Sequence, residues 1–354
     1  MNKKIESLQG LRALAFLGVF ASHTYLKSFR FTGAWGVSVF FMLSGFLLVH
    51  NYYNKQKIEN VTLKDNFLFA AHKIALIYPL HILMLFFRSI FYFTGNETQP
   101  IFDTIKTIVF DSLLINAWFP TIGSINAPAW YLCTAVLAYF LFPYVLKFME
   151  RKYSIKIAQV TIIILFVLQI MIGIISKNIR MIDTTTGDWL CYALPPARFI
   201  DVFIGCNLGY LFQNTPSNGT EKNHTLYEIT AVCFALFAIV FNTIIDGNEH
   251  CTRVYSFTIS SCMLVWLFAK GTGAISSIIS NKVFLWIASL SAYAFLIHDV
   301  VFWYIEVTLY HSNILDKIGY TWLGIIKLIL GFAITMIISK GYKFIVAKKS
   351  NTFN

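Results

Sequence analysis

The chain of 354 residues is too apolar for a soluble protein, because 57% of its residues are hydrophobic and only 13% are charged. Its mean hydropathy of +0.65 indicates an integral membrane protein built as a single domain over residues 1–354. The net charge of +11 would suggest nucleic-acid binding in a soluble chain. In a membrane protein, basic cytoplasmic loops explain it better, so nucleic acid is discounted as a partner and the lipid bilayer is expected around the chain.

Apolar stretches of about 20 residues, long enough to cross a bilayer as helices, recur along the chain. The ten stretches are residues 8–27, 34–53, 73–94, 129–149, 156–176, 195–213, 226–245, 253–270, 283–310 and 321–346. Residues 105–118 are apolar but too short to span, which predicts an interfacial or re-entrant segment. Lysine and arginine concentrate on the side of both termini, which places the N- and C-termini inside. We therefore expect an all-α, multi-pass protein of the plasma membrane, of the bacterial inner-membrane type.

The first predicted helix carries two side chains that lipid disfavours, Arg12 and His23. Eleven residues are almost three helical turns, so the two project from nearly one face, roughly 16 Å apart along the axis. Ionisable residues inside a span mark a functional site by default. The alternative is that Arg12 snorkels to the inner interface and His23 caps the other end. Their shared face favours a function, with Arg12 pairing with phosphates of a cytosolic ligand and His23 accepting a proton.

Further polar candidates lie in two later helices. Arg198 and Asp201 are three residues apart in the outer half of the sixth predicted helix, where a plain ion pair is the alternative to catalysis. His298 and Asp299 reach a similar depth on the ninth, where a hydrogen-bonded core histidine is the alternative. We predict His23 as general base, Asp201 and His298 as further catalytic candidates, and Asp201 or Asp299 as the carboxylate that orients His23.

Several segments resemble the membrane-bound acyltransferase 3 family. Arg12 followed by ten residues and His23 is similar to the family's first helix, and the similarity continues through GVSVFFMLSGFLL (36–48), FLFAAHKIALIYPLHIL (67–83), NAPAWYLCTAVLAYFLFP (126–143), PPARFIDVFIGCNLGYL (195–211) and LSAYAFLIHDVV (290–301). The resemblance implies transfer of an acyl group from a cytosolic acyl-coenzyme A to a hydroxyl. It implies acetyl as the acyl group and a cell-surface or lipid-linked carbohydrate as the acceptor.

The expected binding residues follow from this pattern and from its departures. Where the family often carries arginines, the basic segment offers mainly Lys73, so the phosphate clamp is expected from Arg12 and Lys73. Arg198 and Trp130 are further substrate-side candidates, with an interfacial aromatic as the alternative for Trp130. Acyl-coenzyme A is a co-substrate, and neither a bound cofactor nor a metal is expected, because acyl transfer from a thioester needs neither.

Two rival functions stay open at this point. A transporter or flippase of a polar or glycan-related substrate would also need charged residues inside its spans, although the chain shows no internal repeat. A catalytically inactive relative acting as a scaffold or sensor is the third reading, because the glutamate that often follows the family's Trp is missing after Trp130. No appended soluble esterase-like domain is expected.

Overall fold

The computed structural model describes residues 5–55, 61–93, 100–215, 224–244, 250–312 and 314–352, with the backbone alone at 250–255 and 349–352. Over these residues the secondary structure is helical and contains no strand, which confirms the all-α class. The helices are α1 Glu6–Ser22, α2 Thr32–Tyr52, α3 Leu63–Ile74, α4 Tyr78–Phe93, α5 Ile101–Ser112, α6 Trp130–Lys152, α7 Ile155–Arg180, α8 Thr184–Tyr192, α9 Pro195–Asn214, α10 Thr225–Ile244, α11 His250–Lys270, α12 Ala274–Ile279, α13 Lys282–His311, α14 Leu315–Ile326 and α15 Phe332–Thr352.

Within the described residues, six helical stretches are long and apolar enough to cross a membrane, namely α2, α6, α7, α10, α13 and the joined α14 and α15. A seventh results if the bent pair α3 and α4 forms one span. The remaining predicted stretches are also helical, as α1, α9 and α11. The protein is therefore a helical membrane protein. Ten spans and inner termini stay a prediction.

The first helix ends earlier than the predicted residue 27. α1 stops at Ser22, and His23 takes the C-cap position with φ −92° and ψ 4°. Tyr25 then adopts a left-handed backbone with φ 66°, which a helix does not accommodate. His23 consequently stands at the end of α1 and not inside a regular helical turn.

The predicted span at 73–94 is interrupted near its start. α3 and α4 meet at an angle of 60° across residues 75–77. Pro79, in the first turn of α4, has no backbone N–H and disfavours helical geometry in the residue before it, so the two helices cannot run on as one. Lys73 lies in the last turn of α3, directly before this bend.

The core is organised around α2, which packs against α1, α9 and α11. Gly45 of α2 faces the carbonyl of Val202, and Gly205 of α9 faces the carbonyl of Met42, so any side chain at either glycine would collide with the opposite backbone. This close approach fixes α9 behind α2. α1 packs on its other side against α13, and that contact brings together the two histidines discussed below.

Residues 105–118 form the end of α5 and a short 3-10 turn, outside the candidate spans. Asp111, near the end of α5, is fully buried. Its carboxylate accepts hydrogen bonds from the Ile125 N–H at 2.7 Å and from the Ser124 hydroxyl at 3.1 Å. Burial nevertheless raises the pKa of Asp111 to about 7. These bonds tie α5 to the loop that leads into α6.

Candidate active site

Arg12 and Lys73 face the same space between α1, α2, α3 and α6. Two adjoining cavities there, of about 230 and 180 Å³, are both lined by Arg12, Lys73, Ser44, Tyr131 and Tyr139. We call this combined space the Arg12 cavity. The two cations that the sequence singled out as a phosphate clamp are therefore brought together, although 61 positions separate them in the chain. The hydroxyl groups of Ser44, Tyr131 and Tyr139 add further polar atoms to the wall.

Lys73 is held in place by aromatic rings. Its Nζ lies 4.6 Å from the ring centroid of Tyr52 and 5.3 Å from that of Phe69. Such cation–π contacts stabilise an ammonium group while leaving its donor hydrogens free for an anion. These contacts hold the Lys73 ammonium group at the wall of the Arg12 cavity.

A second cavity, of about 310 Å³, lies at the other end of α1. We call it the His23 cavity, and its wall includes His23, Arg30, Trp130, Tyr192 and Phe295. The sequence placed Trp130 among the substrate-side candidates, and the structure places it in the same cavity as His23. The His23 side chain is exposed to this space.

The orientation of the His23 ring defines which nitrogen can accept a proton. Nδ1 of His23 lies 2.8 Å from the Val19 carbonyl oxygen, one helical turn earlier. A carbonyl oxygen can only accept, so in the neutral ring Nδ1 carries the hydrogen and Nε2 carries the lone pair. Ser22 Oγ, at 3.3 Å from the same Nδ1, adds a second polar neighbour. In this tautomer Nε2 is the nitrogen that can accept a proton.

His298 and Asp299 of α13 lie beside His23. The rings of His23 and His298 have centroids 5.0 Å apart. Asp299 interacts electrostatically with His23 and accepts a hydrogen bond from the Ala127 N–H. His298 Nε2 and Asp299 Oδ2 are buried and make no hydrogen bond within the described part of the chain. Of the two carboxylates expected to orient His23, Asp299 is the one that the fold places near it.

Arg198 and Asp201 form the plain ion pair that was the alternative to catalysis. Arg198 Nη2 lies 2.9 Å from Asp201 Oδ2 and 3.0 Å from Ser38 Oγ, and both charged side chains are fully buried. The Thr258 hydroxyl donates to Asp201 Oδ1 at 2.7 Å. Neither charged residue lines the Arg12 cavity or the His23 cavity. The guanidinium instead lies 5.8 Å from the ring of Tyr192, behind the wall of the His23 cavity.

A second polar cluster near Asp299 was not assigned a role from the sequence. Lys327 Nζ lies 2.6 Å from Glu306 Oε2 and 4.1 Å from the ring centroid of Tyr25, whose hydroxyl donates to the same carboxylate. Lys327 also begins a π-helical turn, a local widening frequent at functional sites. Asp299 interacts electrostatically with both Lys327 and Arg88. The sequence does contain a signal for this cluster, because Lys327 is an ionisable residue inside a predicted span, as Arg12 is.

Phe295 separates the two cavities. Its side chain lines both the Arg12 cavity and the His23 cavity. Its ring centroid lies 5.8 Å from that of Phe40 and 5.2 Å from that of Tyr131, two residues that line the Arg12 cavity. A cationic cavity and a histidine cavity therefore approach each other inside the protein, with aromatic rings between them.

These features define a helical membrane protein with two neighbouring internal cavities that share Phe295 in their walls. The family model described as an acyltransferase domain, that of the acyltransferase 3 family, matches residues 5–340, and the chain belongs to this family. It is also similar to the acyltransferase MdmB of Streptomyces mycarofaciens, with 28% identity over 57% of this chain and 56% of the relative. The match thus spans little more than half of that relative. No solved structure matches the chain. The resemblance inferred from the motifs is confirmed, and the protein is a helical membrane protein of the acyltransferase 3 family.

Proposed function

We propose that the protein transfers an acyl group, acetyl by preference, from cytosolic acyl-coenzyme A to a hydroxyl of a cell-surface or lipid-linked carbohydrate. The observation that carries the proposal is the meeting of a cationic cavity and a histidine cavity at Phe295. A donor entering from one end and an acceptor entering from the other would bring thioester and hydroxyl together there. The bacterial inner membrane is the proposed location.

The Arg12 cavity fits the phosphate end of the donor. Arg12 and Lys73 supply two cations in one wall, and a guanidinium can bind a phosphate through two parallel hydrogen bonds. Tyr131 and Tyr139 add hydroxyl groups to the same wall. An extended arm that starts at these cations would lead along α1 towards His23, over the roughly 16 Å that separate the two residues on a helix.

The His23 cavity fits a sugar. Trp130 and Tyr192 line it, with ring centroids 5.1 Å apart. The apolar C–H face of a sugar ring packs on aromatic rings, while its hydroxyl groups reach polar atoms at the edge of the cavity. His23 is exposed to the same space, so one of these hydroxyl groups would come within reach of Nε2.

The chemistry follows from the His23 tautomer. Nε2 of His23 accepts the proton of the acceptor hydroxyl, and the hydroxyl oxygen attacks the thioester carbonyl carbon. The C–S bond then breaks, and the leaving thiolate of coenzyme A takes the proton back from Nε2. The imidazolium that forms between these steps is stabilised by the Val19 carbonyl at 2.8 Å, and it would be stabilised further by ionisation of the neighbouring Asp299.

The proposal is tested by feeding labelled acetyl-coenzyme A to purified protein in detergent, with an envelope glycan extract as acceptor. We expect release of coenzyme A that depends on the extract, with label entering carbohydrate. His23→Ala should abolish both signals, whereas the exposed His72→Ala should leave them intact. Transfer that survives in His23→Ala would overturn the mechanism. Movement of solute across reconstituted vesicles without thioester consumption would show a transporter instead.

The donor clamp has its own test. Arg12→Ala and Lys73→Ala should each raise the KM for acetyl-coenzyme A about tenfold or more, since a hydrogen bond to a charged group contributes about 1.5–3 kcal/mol. Lys156→Ala, which removes an exposed lysine outside both cavities, is the matched control for charge. An unchanged KM in both clamp variants would place the donor phosphates elsewhere.

A further inference from the structure

We propose that Phe295, together with Phe40 and Tyr131, forms a septum that limits the size of the acyl group reaching His23 and keeps water away from the thioester. The proposal rests on the proposed transfer from acyl-coenzyme A. It adds a specificity-determining residue, which neither the family match nor the motifs supply. We call these three rings the septum.

The position of Phe295 is the first argument. Its ring is 7% exposed, yet it contributes to the wall of both cavities. Phe40 and Tyr131 complete the layer from two other helices, with ring centroids 5.8 and 5.2 Å from that of Phe295. Ring contacts at these distances are van der Waals packing. An acyl group moving from the Arg12 cavity towards His23 therefore has to pass the edge of this layer.

Tyr131 and Phe295 differ in how firmly their contacts hold them, and the difference indicates which side chain can change its rotamer. Tyr131 stacks on Phe41 at a centroid distance of 4.4 Å and an interplanar angle of 17°, and its hydroxyl lies 3.3 Å from Ser44 Oγ. It is therefore fixed at both its face and its tip. The Phe295 side chain has no polar atom, so a change of its rotamer breaks no hydrogen bond of its own.

The neighbour of Phe295 on the far side is His298, whose ring centroid is 6.1 Å away. His298 in turn contacts His23 at 5.0 Å. The septum is thus connected to the proposed base through one intervening ring, that of His298. A small acyl group can place its carbonyl at the edge of the septum. Each further methylene group has to fit against rings that are already packed.

Two consequences follow for the reaction. First, each added methylene should lower kcat/KM by about tenfold or more, because packed apolar walls discriminate by this factor. Second, the septum separates the thioester from water in the His23 cavity. When it is opened, water can attack the thioester carbonyl in place of the sugar hydroxyl, which breaks the C–S bond and yields free acid and coenzyme A.

The test compares acetyl-, butyryl- and hexanoyl-coenzyme A with wild type, Phe295→Leu and Phe295→Ala in detergent. We expect the butyryl-to-acetyl ratio of kcat/KM to rise about tenfold or more in Phe295→Ala, with an intermediate rise in Phe295→Leu. Hydrolysis without acceptor should rise in the same order. Phe20→Ala is the matched control, because Phe20 is also a buried phenylalanine and also contacts His298, at 5.9 Å, but lines neither cavity.

The outcomes separate this proposal from the one it rests on. Wild type without any acetyl transfer would overturn the proposed function. Wild type that transfers acetyl, with Phe295→Leu and Phe295→Ala keeping its chain-length ratio and its low hydrolysis, would overturn the septum alone. The Leu variant retains most of the buried apolar volume, so it carries the test if the Ala variant does not fold. Equal changes in Phe20→Ala would also count against the septum, because they would show a general loosening of the core.

Discussion

The imidazole ring of His298 stands edge-on to that of His23, with ring centroids 5.0 Å apart and an angle of 73° between the planes. Phe20 and Phe302 close other sides of the His298 ring, at centroid distances of 5.9 and 5.7 Å. Nδ1 of His298 lies 3.3 Å from the carbonyl oxygen of Ala294. His298 is fully buried and does not line the His23 cavity, so it meets His23 as a packed neighbour behind the cavity wall.

If His298 is a positioning residue, an aromatic ring of similar size should replace it. We expect His298→Ala to lower kcat about 10- to 100-fold, because a misplaced catalytic group loses rate by this order. The KM for acetyl-coenzyme A should stay unchanged, since the Arg12 cavity is intact. His298→Phe should recover most of the kcat, because the packing against His23 is restored.

The measurement is acceptor-dependent release of coenzyme A, normalised to folded protein. A His298→Phe variant as inactive as His298→Ala would contradict the positioning role. It would show that the imidazole itself takes part in the proton transfer, as the sequence also allowed.

Asp299 is expected to act through charge. Asp299→Asn keeps the shape of the side chain and an oxygen that can accept the Ala127 N–H, but it removes the ionisable carboxyl group that interacts electrostatically with His23. We expect kcat to fall about 100-fold with an unchanged KM for the donor, because stabilisation of the developing imidazolium is lost. Steady-state kinetics over a range of acetyl-coenzyme A concentrations measure both constants. Asp103→Asn, which changes an exposed carboxylate of α5, is the matched control. Full kcat in Asp299→Asn would remove Asp299 from the mechanism.

Arg12 and His23 could be singled out from the sequence because an ionisable residue inside an apolar stretch is visible there directly. Their common face follows from the helical repeat. Lys73 was singled out because it is the main cation in the basic segment that resembles the family's, where the family often carries arginines. Each of these inferences used only the sequence around the residue itself. The structure places all three residues on the walls of the two cavities.

The carboxylate that lies near His23 could not be predicted from its own segment of sequence. Asp201 and Asp299 were predicted at a similar depth, and only packing distinguishes them. α13 packs against α1, whereas α9 packs against α2 and turns Asp201 towards Arg198. The cluster of Lys327 with Glu306 depends in addition on a π-helical turn, which apolar periodicity does not reveal. The end of α1 at Ser22 was also missed, because it depends on the left-handed backbone of Tyr25, which apolar periodicity does not reveal either.

The ion pair of Arg198 and Asp201 should matter for stability and not for catalysis. Asp201→Asn leaves a guanidinium buried without its counter-charge, a change that costs about 3–5 kcal/mol in other proteins. We expect a lower thermal unfolding midpoint in detergent and an unchanged kcat per folded molecule. Replacing both charged residues by apolar ones, as Arg198→Met with Asp201→Leu, should recover much of the lost stability. A normal midpoint with a lost kcat in Asp201→Asn would return Asp201 to the active site.

Asp111 should make the stability of the protein depend on pH. Burial raises the pKa of its carboxyl to about 7 in the folded chain, whereas an aspartate in an unfolded chain titrates near pH 4, at about 3.9. Between these two values the unfolded chain has released the proton and the folded chain still holds it. Rising pH therefore favours the unfolded chain, by about 1.4 kcal/mol per pH unit inside this window and by nothing further above it.

Thermal unfolding in detergent between pH 4.5 and 8 measures this dependence. The midpoint of the wild-type protein should fall as the pH rises towards 7 and then level off. Asp111→Asn does not titrate and keeps an oxygen that can accept the Ile125 N–H, which bonds to the wild-type carboxylate at 2.7 Å, so its midpoint should change less over the same range. A wild-type midpoint that rises with pH would mean that the hydrogen bonds from Ile125 and Ser124 outweigh burial and hold Asp111 ionised.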